Sequence, residues 1–280
     1  MIIDTHIHLY DPMRPQGVSW PSPDNALLYR TTLPVHAKAQ SAGEGVSGAV
    51  IVEATDWLED NQWVLDLAVD EPFIVGLVGR MDPCKAEFSD SVRRFAPNPL
   101  FQGIRWRDRP HYDKIDEGSF MADMEMLVAH DLVLDTVIPV EHEEGFFTML
   151  ERLPDLRVMV EHIAGGTVDG NSPDKAWTGR MKRAASYPNV WMKVSALMEN
   201  STIRPAPADL AFYRPLINTL WDVFGEDRLV YGSNWPVCEG AGTYTRCIQI
   251  VKSYFNEKSA IAREKFFWKN SKDLYKWQQR

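Results

Sequence analysis

Three cysteines in 280 residues, Cys84, Cys238 and Cys247, are too few for a disulfide framework, and none stands in a Cys-x-x-Cys pair that would suggest a zinc ribbon. Positive charge is also short. Thirty Lys and Arg face 39 Asp and Glu, a net charge of -9, and no basic run offsets it. Nucleic acid and anionic membrane surfaces need clustered positive charge, so neither is expected as a partner. No apolar run approaches the ~20 residues of a membrane helix. The opening MIIDTHIHL has no basic leader region and no long apolar stretch, so the expected location is the cytoplasm. Repeats, low-complexity tracts and Gly/Ser linkers are absent as well. The 45% hydrophobic and 25% charged content is that of an ordinary globular chain.

What is present is a rhythm. Eight short β-branched or apolar runs recur: Ile2–His8, Ala49–Glu53, Phe73–Gly79, Phe101–Arg105, Leu132–Ile138, Arg157–Ile163, Val190–Ser195 and Leu229–Gly232. Most are nearly continuous in apolar character, as strands of a parallel sheet covered on both faces must be. Amphipathic stretches lie between them, for example 61–70, 118–130, 141–153 and 208–224. Eightfold alternation predicts an α/β fold, a (β/α)8 TIM barrel in a single domain spanning residues 1–280. An open doubly wound sheet is the competing architecture. It would carry a glycine-rich phosphate turn after its first strand, where this chain has DTHIHLYDP. Two long connections, Tyr10–Pro34 after the first strand and Ala196–Pro207 after the seventh, are expected across the carboxyl-end mouth. Helices over about 241–280, with Phe266, Phe267, Trp268, Tyr275 and Trp277, are expected to pack on the outside.

Residues able to do chemistry cluster at the ends of those strands. His6 and His8, two apart on a strand, point the same way, and Asp4 shares their parity one layer deeper. Glu53, Arg105, Asp135, His162, Lys193, Ser195 and Asn234 end later strands. In a barrel such scattered positions meet at one mouth. Lys193 paired with Asp135 or Asp4 is an equally good structural reading. Arg107 and Arg109 share the parity of Arg105 and offer a positive lip, with pairing to Asp108 or Asp113 as the alternative. Trp20 and Trp235 offer apolar walls. His36 and His111 are weaker candidates for the mouth.

DTHIHLYDP, with VIVEAT, FQGIRW, VMVEHIAG, NVWMKVSAL and RLVYGSNWPVC in that order, resembles the amidohydrolase superfamily over residues 2 to about 240. More narrowly it resembles the amidohydrolase-2 branch, whose members include sugar-lactone and 2-pyrone-4,6-dicarboxylate lactonases. The resemblance implies that His6, His8 and His162 are catalytic, as metal ligands or as groups polarising a carbonyl. It implies that Arg105 holds a substrate carboxylate or lactone oxygen. Glu53, Trp20, Ser195 and Trp235 are expected at the substrate. One departure stands out. Where relatives read GSDWPV, with the aspartate as general base, this chain has Asn234. A neutral amide does not take a proton at ordinary pH and is a poor ligand for a transition metal.

Three consequences of Asn234 remain open: it orients water while Glu53 or His162 takes the proton, it binds substrate hydroxyls, or catalysis has been lost. The metal is open too. His6, His8 and His162 would supply the three protein ligands of a single zinc or other divalent cation, but the branch also includes hydrolases that use none. The leading expectation is a hydrolase opening a lactone of a sugar acid or small dicarboxylic acid, with an anionic or polyhydroxylated small molecule as partner. A metal-dependent decarboxylase of the same superfamily and a non-catalytic sugar-acid binding protein are the alternatives. Nothing in the sequence speaks to oligomeric state.

Overall fold

The computed structural model describes every residue except Asp108, and of Arg109 only the backbone. Eight parallel strands stand in chain order in one sheet: β1 (Ile2–Ile7), β2 (Val46–Val52), β3 (Ile74–Arg80), β4 (Phe101–Arg105), β5 (Val133–Thr136), β6 (Val158–Val160), β7 (Val190–Val194) and β8 (Leu229–Tyr231). The sheet curls until its ends meet. His8 donates its backbone N–H to the Trp235 carbonyl at 2.9 Å, and Thr5 donates its hydroxyl to the Tyr231 carbonyl at 2.6 Å. Helices α1 (Pro34–Ser41), α2 (Glu59–Val69), α3 (Phe88–Phe95), α4 (Phe120–Ala129), α5 (Glu143–Arg152), α6 (Lys175–Ala185), α7 (Leu210–Phe224) and α8 (Tyr244–Phe255) form the outer layer. This is a (β/α)8 barrel.

Period-two alternation divides the apolar residues into two cores. Ile7, Ile51, Leu77, Ile104, Leu134, Val160 and Met192 face the helices, while Val50, Val52, Val78, Val133, Met159 and Val230 fill the lumen. Gly232, just past β8, is one residue where a side chain is forbidden by the site itself. A Cβ there would lie 2.8 Å from the His6 Cβ and 3.2 Å from the Lys193 Cδ.

The end of the chain departs from its expected place. After α9 (Ala260–Glu264) and a π-helical turn (Lys265–Lys269), Phe266 stacks on Phe255 of α8 in the outer core. Helix α10 (Asn270–Tyr275) then turns inward. Leu274, Tyr275 and Trp277 join the lumen cluster with Ile3, Val50 and Val230. Tyr275 and Trp277 were expected outside because aromatic spacing does not say which surface an aromatic covers; here the open amino end of the lumen is the apolar surface they bury.

The first long connection is tied at its neck. Tyr10 and Thr32 exchange backbone hydrogen bonds at 3.0 and 2.8 Å, so the segment between them leaves and rejoins the barrel at one point. Among the described residues, no helix is long and apolar enough to cross a membrane.

Candidate active site

His6 and His8 lie at and just beyond the carboxyl end of β1, both buried, with their Nε2 atoms 3.2 Å apart. The Nδ1 of His8 is 3.1 and 3.0 Å from the carbonyl oxygens of Val52 and Glu53. Carbonyls only accept, so Nδ1 carries the proton and Nε2 keeps its lone pair. Burial, reinforced by nearby cations, lowers the pKa of His8 to about 3 and pushes His6 far down as well. Both rings are therefore neutral at pH 7.

His162 follows β6 with φ +52°, and Ile163 and Ala164 continue in the left-handed region at +50° each. Three such non-glycine residues in a row cost about 1–2 kcal/mol each, and strain of this kind concentrates at functional sites. The turn brings the His162 ring within 4.4 Å of His6, centroid to centroid. Ser195 Oγ lies 2.9 Å from its Nδ1, and an Arg105 terminal nitrogen lies 3.2 Å from its Nε2. Burial, then the Arg105 charge against the opposing pull of Glu161, leaves the pKa of His162 lowered to about 3.

Arg105, at the end of β4, links the two halves of the mouth. Its Nε donates to Glu161 at 2.8 Å and a terminal nitrogen donates to Glu53 at 3.3 Å. Burial alone would raise the pKa of Glu161, but the Arg105 guanidinium beside it holds the carboxylate well below its usual range. Glu53 shares its Oε1 with Arg107 at 3.4 Å, and burial pushes its pKa up despite both arginines. The fork of Arg105 is thus already occupied by protein carboxylates. Arg107, its side chain 51% exposed, is the guanidinium with room to reach a ligand. Asp108 and the side chain of Arg109 fall outside the described residues.

Beneath His6, Lys193 Nζ sits 2.7 Å from Asp135 Oδ2 and 3.4 Å from His6 Nδ1. Lys193 therefore pairs with Asp135 and not with Asp4. Asp4 behaves differently from its parity: the β1 register shifts between Asp4 and Ile7. The shift turns its carboxylate to the backbone N–H groups of Ser233 and His6, at 2.9 and 3.2 Å, and to the Tyr244 hydroxyl at 3.0 Å. Asp4 clamps β1 to β8 and does not orient the imidazoles.

A cavity of about 450 Å³ opens at the carboxyl end of the barrel, walled by His8, Trp20, Glu53, Arg107, His162 and Asn234, with Arg105 also on its surface. His6 is sealed one step behind His8 and His162. Trp20 reaches it from the tied first loop and packs edge-on to His8, 5.5 Å between centroids. Two expected residues stand elsewhere. Ser195 lies behind His162 as its hydrogen-bond partner. Trp235 is buried in the outer core with its Nε1 on Glu239 at 2.7 Å, because the left-handed backbone of Asn234 at φ +61° reverses the chain before it. His36 is exposed on α1, where it accepts from the Leu33 backbone, and His111 lies beside Trp106 at a separate cavity. A cavity of about 290 Å³ at the amino end, beside Met1 and Lys252, holds none of the converging groups.

Two carboxylates were missed by sequence reading. Glu161 has the parity of the lumen residue Met159, a signal masked by its neighbour His162. Glu199 belongs to the loop after β7 and carries no periodic signal. It accepts from Asn234 Nδ2 at 2.9 Å, and burial raises its pKa to about 7.

The donor set fits a divalent cation. Two ligands of one tetrahedral zinc ion lie about 3.3 Å apart, close to the His6–His8 Nε2 separation. Glu161 Oε1 is buried without a hydrogen-bond partner, yet lies 3.4 Å from His6 Nδ1. With the proton on Nδ1, His6 donates to that orphan oxygen and turns a lone pair at Nε2 toward His8, the carboxylate–histidine arrangement common behind metals. His162 supplies a third nitrogen once its Nε2 is released from Arg105, and His6, Glu161 and His162 form a group whose ligand atoms lie within 4.8 Å of one another.

A barrel with paired imidazoles after its first strand and a third after its sixth defines a class, and comparison with known proteins agrees. The chain belongs to the amidohydrolase family, whose model matches residues 3–277. It is 30% identical to an L-fucono-1,5-lactonase of Burkholderia ambifaria over 244 residues, 86% of this chain and 82% of the relative. An amidohydrolase from Burkholderia multivorans, solved with bound zinc, shares the fold with a TM-score of 0.87 at 21% identity, covering 99% of this chain and 100% of its own. A putative 2-pyrone-4,6-dicarboxylic acid hydrolase from Pseudomonas putida gives 0.77 at 18% identity, covering 100% and 98%. A 5-carboxyvanillate decarboxylase from Sphingomonas paucimobilis is more distant, 0.67 at 11% identity, covering 99% of each chain.

Proposed function

We propose that this chain is a hydrolase that opens the lactone of a sugar acid or small dicarboxylic acid, and that His6, His8 and His162 hold one divalent cation while it does so. The observation that carries the reading is the cavity into which neutral imidazoles, a half-exposed guanidinium, a carboxylate and an amide converge. The likeness to an L-fucono-1,5-lactonase supports the substrate class. When bound, the cation supplies Lewis-acid polarisation of the lactone carbonyl.

The chain's own groups account for the rest. Trp20 offers an apolar face to the ring of the substrate, and Arg107 reaches its carboxylate or hydroxyls. Asn234 lies on the wall, where its amide oxygen accepts from the attacking water. His162 is a poor proton acceptor, since its basicity is suppressed and the lone pair it has is the one a cation would take. Glu53 has the better geometry. Both arginines use its Oε1, leaving Oε2 to take the proton as the water oxygen bonds to the carbonyl carbon. Collapse of the tetrahedral intermediate breaks the ring C–O bond, and Glu53 returns the proton to the departing ring oxygen, giving a hydroxy acid.

A pH-indicator screen of aldonolactones, L-fucono-1,5-lactone among them, and of carboxylated lactones tests the reading. Turnover is expected, lost on chelation and restored by zinc. No hydrolysis above background in either set, with metal supplied, overturns it.

A further inference from the structure

The amide that replaces the family's aspartate is not left to rotate freely. Asn234 Nδ2 donates to Glu199 Oε1 at 2.9 Å, and among the described residues its Oδ1 has no hydrogen-bond partner. Glu199 itself stands off the cavity wall that Asn234 lines. Its other oxygen, Oε2, is sealed from solvent without a partner, an expensive arrangement for a carboxylate that does nothing.

We infer that Glu199 is a positioning residue: by accepting from Nδ2 it locks the Asn234 carboxamide so that Oδ1, and not Nδ2, is presented to the cavity as an acceptor for water or a substrate hydroxyl. A carboxylate can only accept, so while Glu199 is ionised the amide has one orientation. Once protonated, Glu199 offers a donor O–H beside an accepting carbonyl, so the carboxamide is no longer held to one orientation. In the turned state an N–H faces the cavity where an acceptor was needed. Position 234 is thereby fixed as an acceptor only while a residue the substrate does not touch carries its charge.

The surroundings make that charge change accessible. Burial raises the pKa of Glu199 to about 7, against the Asn234 bond and the guanidinium of Arg204, which favour the anion. Arg204 also ties the Glu199 backbone carbonyl at 2.6 Å. The other titratable groups facing Glu199 are Tyr213 of α7, Cys238 after β8 and Cys247 of α8. Burial raises all three, and they stay neutral across this range.

The catalytic meaning of this device rests on the proposed lactone hydrolysis; the orientation of the amide does not, and the experiment separates them. In Glu199→Gln the charge is gone, while the side chain keeps its shape. The wild-type kcat is expected to rise with pH through a midpoint near 7, and the variant to lose that step while keeping the rise that Glu53 imposes as base. Its kcat should fall by about tenfold or more with KM changed less than about twofold. Independently of turnover, the side-chain amide resonances of Asn234, assigned by their loss in Asn234→Asp, are followed from about pH 5 to about pH 9. They should shift with the same midpoint in the wild type and stay flat in Glu199→Gln. Flat wild-type resonances, or a variant with an unchanged pH limb, overturn the inference. Titrating wild-type resonances that stay flat in the variant, in a protein that opens no lactone, support the inference and remove only the proposed reaction.

Discussion

Lys193 Nζ lies 2.7 Å from Asp135 Oδ2 with both side chains fully sealed from solvent, one layer beneath the histidines. Burial raises the pKa of Asp135, and the Lys193 charge pulls it back. Removing one member leaves the other charged and unpaired in the lumen. Lys193→Met is expected to cost about 3–5 kcal/mol, measured by urea denaturation, and Lys193→Met with Asp135→Asn should recover part of the loss. Additive losses in the double variant would contradict this coupling.

The same carboxylate is held from below by the end of the chain. Tyr275 donates its hydroxyl to Asp135 at 2.7 Å from Oδ2 and 2.9 Å from Oδ1. Tyr275→Phe keeps the apolar plug and deletes only that donor, so a loss of about 1–3 kcal/mol is expected in the same denaturation experiment. Trp277→Ala should cost more, about 3–5 kcal/mol, because it opens a void in the lumen core.

Arg105 and Arg107 should separate in kinetics. Arg105 touches Glu161, Glu53 and His162 at once, and a lysine supplies only a point charge where a fork is required. Arg105→Lys is expected to lower kcat/KM by about 10²–10³. Arg107→Lys, at a half-exposed site, should change it by less than about tenfold, mainly through KM. Equal effects would remove the distinction between an organising and a substrate-reaching arginine.

Glu199 also makes stability depend on pH. Its folded pKa of about 7 lies above the usual glutamate value of 4.5, so the stability tied to its protonated form is fully present below about pH 4.5 and is lost as pH rises through about 7. Glu199→Gln should therefore melt near the wild type at acid pH and above it at pH ~8, by at most about 3 kcal/mol in free energy. A calorimetric comparison at the two pH values decides it; a variant less stable at the higher pH contradicts the sign.

The barrel and the placing of His6, His8 and Arg105 at its mouth were legible because strand ends obey a period of two. Glu53, His162 and Asn234 follow the last strand residue and were legible only as strand-end positions of a barrel. What was not legible came from departures from that period. A register shift in β1 turned Asp4 outward, and the left-handed Asn234 sent Trp235 into the core. Glu199 sits on an irregular loop, where no repeat predicts direction. Tyr275 meets Asp135 across 140 positions of sequence, a contact set by which end of the lumen needs closing.

The necked first loop has a consequence for how specificity can change. Because Tyr10 and Thr32 close its base, and its further ties run to Asp56, Asp60 and Glu239 outside the strands, the span carrying Ser19 and Trp20 behaves as a cassette. Its length and sequence can be exchanged with little effect on the strands that seat the histidines, so the roof of the cavity can change while its floor stays as it is.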